Sequence, residues 1–526
     1  VPPRRRPRVR RGRASAPIRC PPERIMELRL FRNAWSNLLG AAVPALAALA
    51  TVPLIVAGLG EANYGVYALV TAIVGYFAVI DINVTAGSVK YIAAQHARAE
   101  PERIAETLCF GSAVYALIGL VGGLGLFFGA QFFVAEVFTV PPRLTGEAVA
   151  SLEWAALGFF FCQLQSYLNS VPQALMRFDV SARLEMAFGT LVPLATVGVL
   201  VLGHGLVEVI ALRVLASALH CLLLWRGIRR LLPGLRWRWP QASLRSGILG
   251  FSAYSFLSRF AALSYAHADK LIIGALVGVT GLAYFTVAAT LANRVLGLTF
   301  RLSSVFFPAA SMLAAGGELA RLDHAYLKAT RYVVYLNAAM LVLLAVFAYP
   351  LLAYWMDEQF ARNGAAVLAL MALSQFVDSL TSLPSLVNDG MGHPRVTGLF
   401  AVTRALAGVA IVYAGVAGWG IAGAAWGHPG ASILFTLAFL AYVHGRTVPT
   451  SLLRLCTRAY VPGMAGAAGV ALAASLAEHW FHRGALDFAL ILASTLALLG
   501  LAGMLFVVEG DDRRWAWTRV KALGGG

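Results

Sequence analysis

Residues 113–130 read AVYALIGLVGGLGLFFGA without a single charge, and residues 485–508 read ALDFALILASTLALLGLAGMLFVV with one acid, Asp487. An apolar helix of about 20 residues crosses the roughly 30 Å hydrocarbon core of a bilayer. Inside that core no water is at hand for backbone N–H and C=O groups, so only helices and closed barrels are stable there. A barrel strand would alternate polar and apolar positions with period two, and neither stretch does. Both are therefore read as transmembrane helices. Working outward, runs of the same kind recur at 36–58, 65–89, 107–130, 151–174, 186–203, 206–225, 247–276, 282–305, 331–350, 366–388, 397–417, 421–443, 460–480 and 487–508. The expected fold is an all-α polytopic membrane protein with about 14 transmembrane helices.

Composition agrees. The chain is 59% hydrophobic and 13% charged, with a mean hydropathy of +0.73, whereas soluble domains carry about 25% charged residues. A formal charge of +17 raises the question of nucleic acid, which the placement of the charge answers. With the N-terminus inside, 33 of the 42 Lys and Arg residues fall in inside segments and six within spans. The outside loops hold Arg143, Arg362 and Arg483. Such an excess follows the positive-inside rule, so topology explains the basicity, no nucleic-acid partner is needed, and both termini are expected in the cytoplasm. Residues 1–25 are rich in Pro and Arg, lack an apolar face and are expected to be disordered. Met26, just before ELRLFRNAW, is the expected start of the cellular protein, with span 1 as a signal anchor in place of a cleaved leader. Cys20, Cys109, Cys162, Cys221 and Cys456 form no CxxC pair and imply neither a disulfide nor a metal cluster.

Two stretches recur. Residues 54–69 (LIVAGLGEANYGVYAL) match 272–287 (IIGALVGVTGLAYFTV) at an offset of 218, pairing Gly60 with Gly278, and GHGL at 203–206 matches GWGI at 418–421 at an offset of 215. Six spans between copies keep both in the same orientation, related by a pseudo-twofold along the membrane normal. The expected domains are a tail (1–30), an N-lobe of spans 1–6 (31–225), a cytoplasmic linker (226–246), a C-lobe of spans 7–12 (247–443), spans 13–14 (444–508) and a cytoplasmic tail (509–526).

Polar groups inside spans mark candidate sites, because hydrocarbon makes them costly. Gln163, Ser166, Ser170 and Gln173 line one face of span 4, and Asp378, Thr381, Ser385 and Asn388 the matching face of span 10. Either interhelical bonding or a shared aqueous cavity accounts for them. Arg259 and Arg294 lie about 18 Å into their spans. Arg259 shares a face with Lys270, and Arg294 with Arg301. Together with Arg404 they outnumber the two acids of the same spans, Asp269 and Asp378. A buried Arg costs at least about 2.5 kcal/mol on insertion scales, so these groups require ion-pair partners or an anionic ligand. A surplus of guanidinium suits a phosphate. In span 2, Asp81 is a candidate cation or proton site, with Lys90 or Arg213 as alternative partners. No phosphate loop or HExxH occurs, and Glu478, His479 and His482 sit at a span end, so no catalytic residue, metal or cofactor is assigned.

The stretches RNAWSNLLG (32–40), LGEANYGVYAL (59–69), ADKLIIGALVG (268–278), VFFPAAS (305–311), GHPRVTGLF (392–400) and WGIAGAAWG (419–427) resemble, in order, the Wzx-type polysaccharide flippases of the multidrug/oligosaccharidyl-lipid/polysaccharide exporter superfamily. That resemblance implies a non-enzymatic transporter of the bacterial inner membrane. By alternating access it would turn an undecaprenyl-pyrophosphate-linked oligosaccharide to the outer leaflet. Its implied partners are lipid-linked oligosaccharide, membrane lipids and other polysaccharide-assembly proteins. The alternatives are a multidrug or cation antiporter of the same superfamily, and a membrane glycosyltransferase or O-antigen ligase. The antiporter form uses a first-helix carboxylate, and residues 32–60 contain none. The enzyme needs outside acids or a large loop, and the longest outside loop is 131–150.

Overall fold

The computed structural model describes residues 43–514 apart from 82, 99, 176, 234–236, 243, 247, 250–266, 304–316, 482–483 and 511, and of residues 79, 97, 178, 294–302 and 481 it describes the backbone but not the side chains. The described residues are helical throughout, with no strand, and eight of their helices are long and apolar enough to cross a membrane. In chain order they are α1 (Val43–Leu59), α2 (Glu61–Phe77), α3 (Val84–Ala97), α4 (Pro101–Phe132), α5 (Thr145–Ala174), α6 (Phe178–Val201) and α7 (Leu206–Leu231). After them come α8 (267–276), α9 (Val279–Ser303), α10 (Leu319–Val346), α11 (Ala348–Trp355), α12 (Glu358–Ser379) and α13 (Ser382–Gly390). The series ends with α14 (Pro394–Arg446), α15 (Val461–Phe481) and α16 (Ala485–Ala502). Large apolar side chains such as Leu117, Phe128, Leu191, Leu437 and Leu486 stand exposed, as a helix solvated by lipid requires.

Two spans that the sequence presents as continuous are broken. Residues 65–89 divide between α2 and α3, because Asp81 turns extended (φ −65°, ψ 106°) and Asn83 left-handed (φ 55°). The Asp81 carboxylate accepts the Asn83 backbone N–H at 2.8 Å. Short polar side chains compete with the helix ladder in this way, and Asn tolerates the left-handed region. Residues 366–388 divide between α12 and α13, where the Thr381 hydroxyl bonds the Asp378 carbonyl at 2.8 Å. Pro384, two residues into α13, has no N–H to continue the ladder. The expected boundary between spans 11 and 12 falls within α14, at a kink where Gly420 takes φ 57°.

Below, the outer end of a helix is the end that the distribution of basic residues assigns to the outside. At the outer ends one apolar core takes in both sets of helices. Ile55, Leu69, Leu126, Leu152 and Ile210 of α1–α7 are buried with Ile273, Phe285, Leu352, Phe360 and Val416 of α8–α14. At the inner ends the cores are separate. One holds Ile92, Leu108, Tyr167, Leu224 and their neighbours from α3–α7. The other holds Leu322, Val334, Val387, Leu440, Leu455 and Leu499 from α10–α16. α15 and α16 pack on the second set: Gly463 abuts the Arg331 carbonyl of α10, and the Tyr335 hydroxyl donates to the Leu499 carbonyl of α16.

The junction of the two sets runs along α2. Gly60 and Gly278, paired by the internal repeat, both adopt left-handed φ (76° and 101°) just before α2 and α9, a geometry open to glycine at little cost. Five residues after Gly60, Gly65 meets the backbone of α9 so closely that a Cβ would lie 1.8 Å from the Val279 carbonyl oxygen. Deeper, Leu69 packs on Gly274 and Gly75 on the ring of His267. Hydrogen bonds lace the outer rim. Tyr284 donates to Glu61 at 2.6 Å, Gln359 donates to Glu61 at 3.1 Å, Trp355 Nε1 donates to the Leu49 carbonyl at 3.2 Å, and the Thr139 N–H donates to the Gly274 carbonyl at 3.1 Å.

The Gly65 contact is with backbone, so a methyl group there forces α2 and α9 apart. In a cysteine-free background carrying Ala72→Cys on the same face of α2, Gly65→Ala is expected to raise labelling by a membrane-impermeant maleimide added from outside. Unchanged labelling would show that the outer seam does not depend on this approach.

Candidate functional site

The charged residues singled out in the C-half spans converge. Asp269 and Lys270 leave α8, Asp378 leaves α12, and Arg404 and His428 leave the two segments of α14. Asp269 and His428 lie about 10 Å from the outer ends of their spans and Asp378 about 18 Å, so the cluster descends toward mid-membrane. Lys270 Nζ lies 3.3 Å from Asp269 Oδ1, and His428 Nε2 lies 3.5 Å from Asp269 Oδ2 with both side chains buried. The Phe285 ring of α9 stacks beside His428 at a centroid distance of 6.1 Å. From the first segment of α14, Arg404 donates to the Asp378 carboxylate and, at 3.3 Å, to Ser432, which lies one turn beyond His428 and whose hydroxyl is 2.8 Å from that of Ser374. Burial of such charges is tolerable because each carboxylate has a basic partner and a further polar contact. Thus Lys270 and Arg404 rest on Asp269 and Asp378, the ion-pair alternative open at the level of sequence. Arg259 lies outside the described residues, as do the side chains of Arg294 and Arg301, whose backbone belongs to α9.

Below this cluster Thr381, Ser385, Thr397, Arg404 and Thr436 line a cavity of about 110 Å³ between α12, α13 and α14. The last member of the expected polar stripe, Asn388, does not face it. It is fully buried and donates to the His393 carbonyl at 2.8 Å and to Thr397 at 3.0 Å, and it accepts from Thr447 at 2.7 Å. It ties helices together in the manner of interhelical polar glue.

The N-half site is different in kind. Asp81 sits in the break between α2 and α3, 1% exposed, and accepts from the Tyr115 hydroxyl of α4 at 2.7 Å. Tyr115 in turn receives the Thr85 N–H at 3.2 Å and stacks on Tyr167 of α5 at 5.2 Å. A carboxylate beside an unwound helix at membrane depth is an arrangement that transporters use to hold cations. Gln163 is buried on α5, and its amide nitrogen finds no hydrogen-bond partner among the described residues. Arg213 of α7, an alternative partner for Asp81, donates instead to Tyr67 and lies 5.4 Å from that ring's centre. Sequence reasoning passed over His428 and the Glu61–Tyr284–Gln359 bonds. A lone His in an apolar run and an acid at a span end give no periodic signal, although Glu61 and Tyr284 both fall within the repeated stretches.

The class this defines is a multi-pass membrane protein of transporter fold. A family model of polysaccharide biosynthesis proteins matches residues 59–363, and the chain belongs to that family. It is 18% identical over 406 residues to a Shigella flexneri protein named "Putative O-antigen transporter", covering 76% of this chain and 94% of that one. Among solved structures, the lipid II flippase MurJ in an inward closed conformation superposes with a TM-score of 0.73 at 12% identity, over 89% of this chain and 98% of the other. An inward-facing multidrug resistance transporter of the MATE family and MOP superfamily gives 0.64 at 14% identity, over 78% and 98%. At such identities the likeness is one of fold.

If Asp378 and Arg404 are a buried pair, Arg404→Ala strands a carboxylate and is expected to cost about 3–5 kcal/mol, read as lower membrane abundance and a lower Tm in detergent. The double replacement Arg404→Met, Asp378→Leu is expected to recover most of the loss. Equal instability of single and double variants would contradict the pairing.

Proposed function

We propose that this protein is a flippase that turns an undecaprenyl-pyrophosphate-linked oligosaccharide from the cytoplasmic to the periplasmic leaflet of the bacterial inner membrane, with both termini in the cytoplasm. The observation that carries the reading is the uneven core: one core at the outer ends, and two, well apart, at the inner ends. With the topology given by the basic residues, this is a transporter closed to the outside, whose two lobes diverge toward the cytoplasm where the substrate is made. Membership of the polysaccharide biosynthesis family supports the substrate class. The activity is movement and not bond chemistry, and no group in the charged cluster is assigned a covalent step.

In this reading Arg259, Arg294 and Arg301, with Lys270 and Arg404, receive the pyrophosphate. Lys270 and Arg404 are held by Asp269 and Asp378, which keeps their heads in place at a bearable cost inside the membrane. Guanidinium grips a phosphate through two parallel N–H donors, which an ammonium cannot do. Tethered cations on both C-half carboxylates weigh against a multidrug or cation antiporter that would need those carboxylates for its own cargo. Asp81, buried at the break between α2 and α3 beside the Tyr115 hydroxyl, is the N-half candidate for ion coupling.

The test is glycan export in a flippase-deficient strain, read against membrane abundance. Arg259→Ala and Arg294→Ala are each expected to weaken substrate affinity about ten- to a hundredfold, the loss of one charged bidentate contact worth about 1.5–3 kcal/mol. Arg294→Lys is expected to fall between alanine and wild type. Normal export by abundant alanine variants would overturn the assignment of the pyrophosphate site.

A further inference from the structure

The outer halves of α4 and α5 form a groove. The two helices run side by side with small residues at their contact: a Cβ on Gly119 would lie 3.0 Å from Phe160 Cα, and one on Gly123 3.0 Å from the Ala156 carbonyl oxygen. Such close approach of two backbones leaves the large side chains beside them standing outward, Leu120, Leu124 and Phe127 on α4 and Trp154 and Leu157 on α5. They wall a groove of about 590 Å³, a size at which pockets hold a whole organic ligand, about 300–1,000 Å³. All five are exposed, and on helices that cross hydrocarbon such a face meets lipid.

Glu153 of α5 is the one charged residue among those that line the groove. Its side chain is half-buried and forms no hydrogen bond or ion pair with any described residue. α4 and α5 are 32 and 30 residues long, about 48 and 45 Å. That matches a bilayer with its headgroups, about 40–45 Å around a hydrocarbon core of about 30 Å. Glu153 lies eight residues below the outer end of α5 at Thr145, which is about 12 Å. With the helices centred on the bilayer, its backbone is about 5 Å inside the hydrocarbon boundary. Side chains of a helix tilt toward its N-terminus, which on α5 is the outer end, so Glu153 leans toward the headgroups. A carboxylate at this level is costly unless a cation meets it.

The membrane can supply that cation. Residues 131–153 hold Glu136, Glu147 and Glu153 against Arg143, so this outer corner repels an anionic headgroup and attracts an ammonium. Trp154, on the groove wall next to Glu153, offers an indole face that attracts an ammonium as well. We infer that the groove between α4 and α5 binds a chain of an outer-leaflet phospholipid whose headgroup carries an ammonium, with Glu153 as the counter-ion of that headgroup. The inference takes its topology from the distribution of basic residues and does not depend on the flippase reading. The same charge works against the pyrophosphate of a lipid-linked glycan.

Native mass spectrometry of the full-length protein tests it, with phosphatidylethanolamine and phosphatidylglycerol of the same acyl chains as probes. Wild type is expected to bind the ethanolamine lipid about tenfold more tightly, the gain from one charge-assisted hydrogen bond. Glu153→Gln keeps the size and removes the charge, and is expected to bring the two lipids level. Leu157→Trp adds bulk to the groove wall and is expected to weaken binding of the ethanolamine lipid. Equal affinities of wild type for the two lipids would overturn the proposal. A preference that survives Glu153→Gln, or an affinity untouched by Leu157→Trp, places the lipid elsewhere and overturns it too. So does a wild-type dimer that retains no lipid and that Leu157→Trp dissociates, because a second copy then fills the groove. If Glu153→Gln does not accumulate, wild type is titrated with N-acetylated phosphatidylethanolamine, which keeps the phosphate and lacks the ammonium. A loss of about tenfold supports the headgroup contact, and binding as tight as that of the parent lipid contradicts it.

Discussion

Hydrocarbon solvates neither a bare backbone nor a bare charge, and that one constraint organises this molecule. It requires helices, because only they satisfy their own N–H and C=O groups within a single segment. It also requires every charge left inside a span to find its partner on the chain. The cluster of Asp269, Lys270, Asp378, Arg404 and His428 is the answer the sequence gives to this second demand. Four segments that are far apart in the chain supply it, so it fixes how α8, α12 and both parts of α14 sit against one another. The same constraint explains why the helix breaks where it does. Asp81 interrupts the second span because its carboxylate captures the Asn83 N–H and the Tyr115 hydroxyl, and the side chain is buried there.

A second consequence is mechanical. Lipid-facing apolar side chains gain little from packing on one another, so close contact between the two sets of helices needs small residues and hydrogen bonds. The outer seam has both: the near-contact of Gly65 with Val279, and the bonds of Glu61 with Tyr284 and Gln359. These bonds reach across the junction with modest strength, and a seam of this kind can be undone. The inner cores, by contrast, are each large and continuous within one set. Rigid bodies joined by a breakable seam are what rocking between two access states requires.

Much of this was legible in the sequence. The apolar runs gave the helical class, because the span length is set by bilayer thickness and not by tertiary contacts. Gly60 and Gly278 announced equivalent turns through their spacing, and both are left-handed. Charges inside spans were visible as a cost, so Lys270, Arg404, Asp269 and Asp378 could be named together. Their pairing could not be read, because helical periodicity gives a residue's face but not which distant helix it meets. The breaks at Asp81 and Thr381 were missed for a related reason. A hydropathy run averages over the side-chain hydrogen bonds that end a helix. His428 was missed because one histidine among apolar residues has no pattern of its own.

The central claim is movement of a lipid-linked glycan between leaflets. Its most direct measurement uses purified protein in liposomes that carry a fluorescent undecaprenyl-pyrophosphoryl oligosaccharide, with an impermeant reagent outside that destroys the dye. The account predicts that, on adding the reagent, the dye in the inner leaflet becomes accessible much faster in liposomes holding the protein than in empty ones. Equal rates with and without the protein, at verified reconstitution, would contradict it.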